Sequence, residues 1–455
     1  MDDSLKTGKL IPLLIRYSIP AIVCYFISEL YNMVDSYFVG NAVGSSAIAA
    51  LGIVFPIQRL LIAFSLLFSF AASNLLANFI GAKNKKMANY VISSTVGLNF
   101  LIIVPYTLLV YIFRDKILTI LSAHDEIYLY SREYLSIIIW GSIFLTLGTC
   151  FARLLLVFGK STASIICSAS GAIINIIFDY IFVYLGNQGV LGAAYATLIS
   201  QIISCFISAV FLLKLMHREK VAISTLPSAG MMFKLFKTGL PSFVVESEDA
   251  IVLAVLNLVF FKAAGSRGIA ILSLNIKAYM LLFVIVLGLA YGMQTIIAYN
   301  YGAKNFSRVR SCLRISLIFN ILTSSVITMI FYLFSYQILN IFIKEEILLN
   351  EASIFFRRMI IVFPILAIYY SAITYLQASM KEISSMILTF FRQLIFLCPM
   401  MLIAIYLFNT EFSALFYIYP ITDIMAAIIG SVVLYISIYK LKDSKYMKKK
   451  HSRVS

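Results

Sequence analysis

Four polar residues stand where apolar helices should carry none. Asp35 interrupts Tyr31-Asn32-Met33-Val34-Asp35-Ser36-Tyr37, Asn175 and Asp179 interrupt a second apolar run, and Thr197 closes Gly192-Ala193-Ala194-Tyr195-Ala196-Thr197 in a third. An ionisable side chain at membrane depth costs roughly 2.5–3.5 kcal/mol on insertion scales, so it is read as functional by default. The i, i+4 spacing of Asn175 and Asp179 puts both on one helix face, about a turn apart. Two carboxylates converging in apolar surroundings ionise against desolvation and against one another, so the pair would accept a proton readily. The same carboxylates, with one amide oxygen and one hydroxyl, are also the hard oxygen ligands a Na⁺ ion takes. The residues leave H⁺ and Na⁺ both open.

These residues belong to one copy of a duplicated chain. Gly81-Ala82-Lys83-Asn84 returns as Gly302-Ala303-Lys304-Asn305, an offset of 302 − 81 = 221. The same offset links Pro20 to Pro241, Gly44 to Gly265, Ser45 to Ser266, Asn99 to Asn320 and Lys160 to Lys381. Internal repeats in a polytopic membrane chain point to a secondary transporter with its site at depth. Applied to the polar residues, the offset sends Asp35 to Leu256, Asn175 to Phe396, Asp179 to Met400 and Thr197 to Ile418, all apolar. A packing role would be expected in both copies, whereas an ion site needs only one. The buried acids are therefore assigned to cation coupling in the first half.

The elements that must position them are membrane helices. The chain has 455 residues, 62% of them hydrophobic and 12% charged, with a mean hydropathy of +0.96. Such a chain belongs in a bilayer, where each span needs about 20 mostly apolar residues. Twelve spans are predicted, at 13–39, 47–79, 88–112, 131–157, 162–185, 190–214, 235–261, 268–300, 309–334, 352–378, 384–408 and 412–440. The expected fold is all-α and membrane-embedded, with an N-terminal lobe at 1–214, a cytoplasmic linker at 215–233, a C-terminal lobe at 234–440 and a basic tail at 441–455. Six spans per half make the duplication parallel. Lys and Arg gather after the even-numbered spans, at Lys83, Lys85, Lys86, Lys160, Arg218, Arg308, Arg310 and Lys381. By the positive-inside rule both termini face the cytoplasm of a cell-membrane protein. The net charge of +16 is scattered through these loops and the tail, so nucleic acid is not an expected partner. The six cysteines are isolated packing residues, without a CxxC pair. No HExxH, GxSxG or Walker pattern occurs and the loops are too short for a catalytic domain, so neither an enzyme nor a cofactor beyond a coupling ion is expected.

Other charges interrupt apolar runs. Glu246 and Asp249 share a face of span seven, Glu248 points elsewhere, and Lys277 in span eight could neutralise one of them. Glu246, Asp249 and Lys277 are either a structural ion pair or a second site. Glu29, Arg59, Arg153, Arg392 and Asp423 are assigned structural or gating roles, and Pro20 is a candidate bending point of span one.

The ordered set Val34-Asp35-Ser36-Tyr37-Phe38-Val39-Gly40, Asn175-x-x-x-Asp179, Gly189-x-x-Gly192-Ala193-Ala194-x-Ala196-Thr197, Gln294 through Lys304, Arg392-Gln393 and Pro420-x-x-Asp423 resembles the multidrug and toxic compound extrusion family over nearly the whole chain. The resemblance implies a twelve-helix, two-lobe antiporter that exports small organic, cationic compounds in exchange for H⁺ or Na⁺, works as a monomer among membrane lipids, and has alternating access. It implies a cation site at Asp35, Asn175, Asp179 and Thr197, and a helix-one bend at Pro20. Two departures stand out. Tyr180 follows the span-five Asp where similar proteins often have proline, and span ten lacks the Asp of members with a second-lobe Na⁺ site. A lipid-linked precursor flippase of related architecture is the alternative, and it would need a cavity rich in Arg and Lys.

Overall fold

The structure is a computed structural model that describes residues 7–81, 84–158, 160–219, 227–303, 305–379 and 381–451; the side chains of some residues within these stretches, Pro20, Glu29 and those of 441–450 among them, lie outside the description. The bend expected at Pro20 and the role expected of Glu29 fall there, as does part of the expected linker, 220–226.

The described residues form helices and turns, with no strand among them. Hydrocarbon offers no partner to a free backbone N–H or C=O, so helices that satisfy themselves internally are what this composition permits. Among the described residues, ten stretches are long and apolar enough to cross a membrane. One of them, Ser242–Tyr301, lies in the helical stretch Ala229–Gly302, which is two helices broken at Ala264 (φ −148°) and Gly265 (φ +58°) and so counts as two spans. The helix Leu10–Ala42 supplies span one. Ten, plus one for the break and one for Leu10–Ala42, gives the twelve spans expected.

The 221-residue register is written into the backbone. Helices begin at Lys85 and Phe306, at Arg114 and Ser335, at Asp125 and Glu346, and at Ser161 and Glu382, each pair 221 apart. Asn84 caps the helix Lys85–Ile112 by accepting from Met87 N at 3.1 Å, and its copy Asn305 caps Phe306–Leu333 by accepting from Arg308 N at 3.3 Å. Gly44 and Gly265, also copies, both have positive φ, +112° and +58°, and turn the chain from span one into two and from seven into eight. A residue with a Cβ would be strained there.

The chain packs as two compact units. The Asp35 unit comprises Leu30–Leu274 with Ile341–Leu348; the Arg392 unit comprises Met1–Glu29, Asn275–Asn340 and Leu349–Ser455. In the Asp35 unit, span two (Ser45–Gly81) packs on span four (Asp125–Ile138 and Ser142–Val157), and span six (Gly189–Glu219) packs on four and five. Leu67, Phe68, Leu76, Val91, Cys150 and Leu154 form its apolar core. In the Arg392 unit, span twelve (Ile418–His451) packs on span ten (Leu366–Ala378) and span eleven. Span two is mostly buried, whereas spans three, five, nine and eleven keep most of their apolar surface outward. Ile318, Leu322 and Val326 on span nine are exposed along one face, a surface that lipid covers at no hydrophobic cost.

The two asparagine caps should contribute alike. Asn84→Ala and Asn305→Ala are each expected to cost about 1 kcal/mol, read as a lowered melting temperature of the detergent-solubilised protein, with the Asp variants close to wild type. Unchanged melting in both Ala variants would refute the caps as stabilising elements.

Candidate cation site

Span one carries Asp35 into the interior of its unit, where the side chain is almost wholly buried. Three donors meet its carboxylate. Thr197 Oγ1 donates to Oδ2 at 2.8 Å, Asn175 Nδ2 donates to Oδ1 at 3.3 Å, and the Tyr134 hydroxyl donates to Oδ2. Gln58 Nε2 in turn donates to the Tyr134 oxygen at 3.3 Å, which aims that hydroxyl's proton at Asp35. Spans one, four, five and six thus converge on one carboxylate, and span two joins them through Tyr134. The small residues Gly192, Ala193, Ala194 and Ala196 let span six come close enough to deliver Thr197.

Asp179 is the second acid. It is fully buried, its carboxyl lies within hydrogen-bonding reach of Asp35, and neither of its oxygens finds a hydrogen-bond donor among the described residues. Asn175 Oδ1 is likewise unpartnered. Two ionised carboxylates cannot hydrogen bond to one another, because neither has a proton to give. Unpartnered buried oxygens are costly, and a pair of facing carboxylates more so. A single shared proton resolves the pair, as would a small cation seated among the Asp179 oxygens, Asn175 Oδ1 and Thr197 Oγ1. The structure therefore brings Asp35, Asn175, Asp179 and Thr197 together. Tyr134 and Gln58 join them, and the first of these carried a signal in the repeat: Tyr134 maps to Phe355, so the hydroxyl exists in one copy only.

Span five changes helical form beside this cluster. Ser161–Asp179 is α-helical, and Tyr180–Leu185 is a π-helical turn closed by Gly186 N to Ile181 O at 2.8 Å. Such turns are rare and recur at functional sites. Here the turn begins at Tyr180, directly after the second acid.

Glu246 and Asp249 lie in the Asp35 unit, opposite Arg59 of span two. Arg59 Nη1 is 3.8 Å from Glu246 Oε1 and 4.0 Å from Asp249 Oδ2, and its guanidinium lies 4.8 Å from the centroid of the Phe55 ring. Lys277 is buried in the Arg392 unit. Arg153 sits 3.8 Å over the Phe70 ring.

The second half also holds a buried acid. Asp423 is fully buried, and Arg392 Nε donates to its Oδ1 at 2.8 Å while Arg392 Nη2 donates to the Tyr279 hydroxyl at 2.6 Å. Span eleven carries its own π-helical turn here, Phe391–Leu397. Tyr369 of span ten explains how the ladder opens: its hydroxyl donates to Leu388 O and accepts from Arg392 N at 3.3 Å, the two groups an α-helix would join directly. Under the offset, Arg392 and Asp423 map to Gly171 and Ile202, so the two clusters do not coincide.

Breaking the buried pair should show how the charges depend on each other. Arg392→Met or Asp423→Leu alone is expected to cost about 3–5 kcal/mol by stranding a charge, and the double variant is expected to recover most of that loss. Melting of the three purified variants checks this; a double variant as unstable as the singles would mean that the pair is not the seat of the effect.

Comparisons with known proteins bear on the family and the fold. The sequence model of the MatE family matches residues 20–181 and again 241–405, two matches whose starts lie 241 − 20 = 221 residues apart. A multidrug export protein MepA of Staphylococcus haemolyticus is 27% identical over 310 residues, 67% of each chain, and the MepA of Staphylococcus aureus strain NCTC 8325 is 24% identical over 346 residues, 75% of each. Among solved structures, the inward-facing conformation of a multidrug resistance MATE family transporter matches with a TM-score of 0.86 at 23% identity, covering 91% of this chain and 95% of that one. An outward-facing conformation of a multidrug resistance MATE family transporter matches with a TM-score of 0.75 at 24% identity, covering 96% and 98%.

Proposed function

Since the chain belongs to the MatE family, we propose that it is a multidrug exporter working by secondary antiport, with inward movement of H⁺ or Na⁺ through Asp35, Asn175, Asp179 and Thr197 driving outward movement of amphipathic, cationic organic compounds. One observation carries this reading. Two buried carboxyl groups face one another, and among the described residues the oxygens of Asp179 have no donor. Such a pair needs an exchangeable positive charge, and it sits on five converging spans whose packing changes when that charge leaves.

The proposed cycle follows from this. A cationic compound enters from the cytoplasm while the site holds its ion. The ion is released inward, a new one binds from outside, and each change of charge at Asp35 alters which donors span one can hold. Every elementary charge that moves inward contributes about 2.3 kcal/mol per 100 mV of membrane potential. The proposed orientation, with both termini cytoplasmic, rests on the basic residues that follow the even-numbered spans. The N-terminal lobe at 1–214 and C-terminal lobe at 234–440 remain the proposed moving parts, with their boundary taken from the repeat. The alternative of a lipid-linked precursor flippase is disfavoured by the arginines: Arg59, Arg153 and Arg392 are each engaged by acids or rings of the protein.

Dye export from proteoliposomes tests the proposal, with a pH gradient and a Na⁺ gradient imposed separately. Wild type is expected to export with one of them. Asp35→Asn and Asp179→Asn are each expected to lose at least about tenfold in rate, the scale of one charge-assisted interaction of about 1.4 kcal/mol or more. Tyr134→Phe is expected to keep transport but to shift the concentration of ion that half-saturates it. Undiminished gradient-driven export by correctly inserted Asp35→Asn protein would sink the reading.

A further inference from the structure

The segment Ile341–Leu348 joins spans nine and ten, yet it packs in the Asp35 unit, apart from its chain neighbours on both sides. There it lies on the corner between spans one and two. Asn41 Nδ2 donates to Ile341 O at 2.9 Å, and the backbone N–H of Ser45 donates to Glu345 Oε1 at 2.8 Å. Ser45 is the first residue of the helix Ser45–Gly81. The Glu345 carboxylate thus caps a helix start, where free N–H groups and the positive end of the dipole favour an anion. Phe342 and Ile343 are buried, and Gly40 has no room for a Cβ because the Phe342 carbonyl fills that place.

The repeat makes the same contact a second time. Moved back by 221, Ile341–Leu348 becomes 120–127, and the corner 40–45 becomes 261–266. His124 is the copy of Glu345 and Phe261 is the copy of Gly40. The His124 ring stacks on Phe261, with centroids 4.3 Å apart and planes 11° apart. The loop after span three therefore rests on the corner after span seven, as the loop after span nine rests on the corner after span one. The residues differ while the placement is kept.

We propose that these two exchanged loops are the outer latch of the transport cycle. This rests on the orientation and antiport reading above, which put both corners on the outer face. An exit to the outside between the two sequence halves requires each loop to leave the corner of the other half. The Glu345 bond is charge-assisted and is the stronger of the two; the His124 stack is the weaker. Asn41 lies six residues after Asp35 on one continuous helix, about 9 Å along its axis, so a shift of span one at the ion site moves the corner that the latch grips.

The test joins the latch covalently. Ser45→Cys and Glu345→Cys are introduced together and treated from outside with a short bis-methanethiosulfonate linker; Cys150, Cys167, Cys205, Cys312 and Cys398 are buried and less accessible to it. The linked protein is expected to bind a fluorescent cationic dye, to export none, and to regain export when dithiothreitol cleaves the linker. Undiminished export by the linked protein overturns the proposal, as does failure of the linker to join the two thiols. Glu345→Ala is expected to raise the labelling rate of Asn41→Cys by an impermeant maleimide several-fold, and to raise the apparent KM for internal dye by a similar factor, because a smaller fraction faces inward. Glu345→Gln should do less, since its amide oxygen still accepts from Ser45. Unchanged labelling in Glu345→Ala overturns the latch. The labelling assay needs no gradient, so it separates failure of the latch from failure of antiport, which wild-type gradient-driven export reports.

Discussion

A carboxylate taken out of water must be met by donors or by a positive charge, and the architecture of both units is organised around that demand. Around Asp35 the answer is three neutral donors from three different spans, Tyr134, Asn175 and Thr197, with Gln58 holding the first in place. Around Asp423 the answer is a guanidinium, Arg392, itself held by Tyr279. Neutral donors leave Asp35 only partly compensated, and they leave Asp179 uncompensated. A guanidinium donates to Oδ1 of Asp423 and balances its charge, and it is always charged. Helices that could pack in many ways as apolar cylinders are thereby fixed in register, because only one arrangement satisfies the buried charge.

The frame is duplicated far more faithfully than the chemistry. Helix starts, asparagine caps and positive-φ glycines repeat at 221 residues. The polar clusters do not. The π-helical turn of span five begins at Tyr180, and the equivalent position in span eleven would be 401, yet the turn there begins at Phe391. That is ten residues earlier, about 15 Å along the helix. Duplication therefore preserved what makes spans and corners, while each half acquired its own polar centre at its own depth. The exchanged loops follow the same rule, with Glu345 and His124 at matched positions making unlike contacts.

Much of this was legible in the residues. Apolar runs of helical length gave the spans, and comparison of the halves isolated Asp35, Asn175, Asp179 and Thr197, which the structure brings together, whereas the capping role of Asn84 and Asn305 emerged only from the structure. The same comparison applied to hydroxyls would have added Tyr134, opposite Phe355. Gln58 would not have emerged, because its copy is Tyr279, also polar. Arg392 and Asp423 were visible as charges in apolar runs, but their partnership depends on how two helices are rotated about their axes, which span boundaries known to several residues do not fix. The π-helical turns leave no composition signal; in span eleven the cause is a hydroxyl from span ten, a tertiary contact. The docking of Ile341–Leu348 on a corner some 300 residues away is likewise a tertiary fact, since a short loop of mixed charge such as Lys344-Glu345-Glu346 carries no address.

The difference between the two ways of meeting a buried carboxylate has a functional consequence. Arg392 cannot deprotonate or depart, so the charge state of its cluster is the same at every point of a cycle, and the cluster serves to keep spans eight, ten, eleven and twelve in register. The facing Asp35–Asp179 pair has no such fixed cation among the described residues, so its compensating charge is, on the proposed reading, one that can come and go. A conformational change can be driven by an ion only where binding that ion alters the energy of one arrangement more than another. Within this duplicated frame the Asp35 cluster meets that condition and the Arg392 cluster does not. Asp35 shares the helix Leu10–Ala42 with the corner gripped by Glu345, so under the proposed antiport an ion bound at Asp35 would act along that helix on the proposed latch.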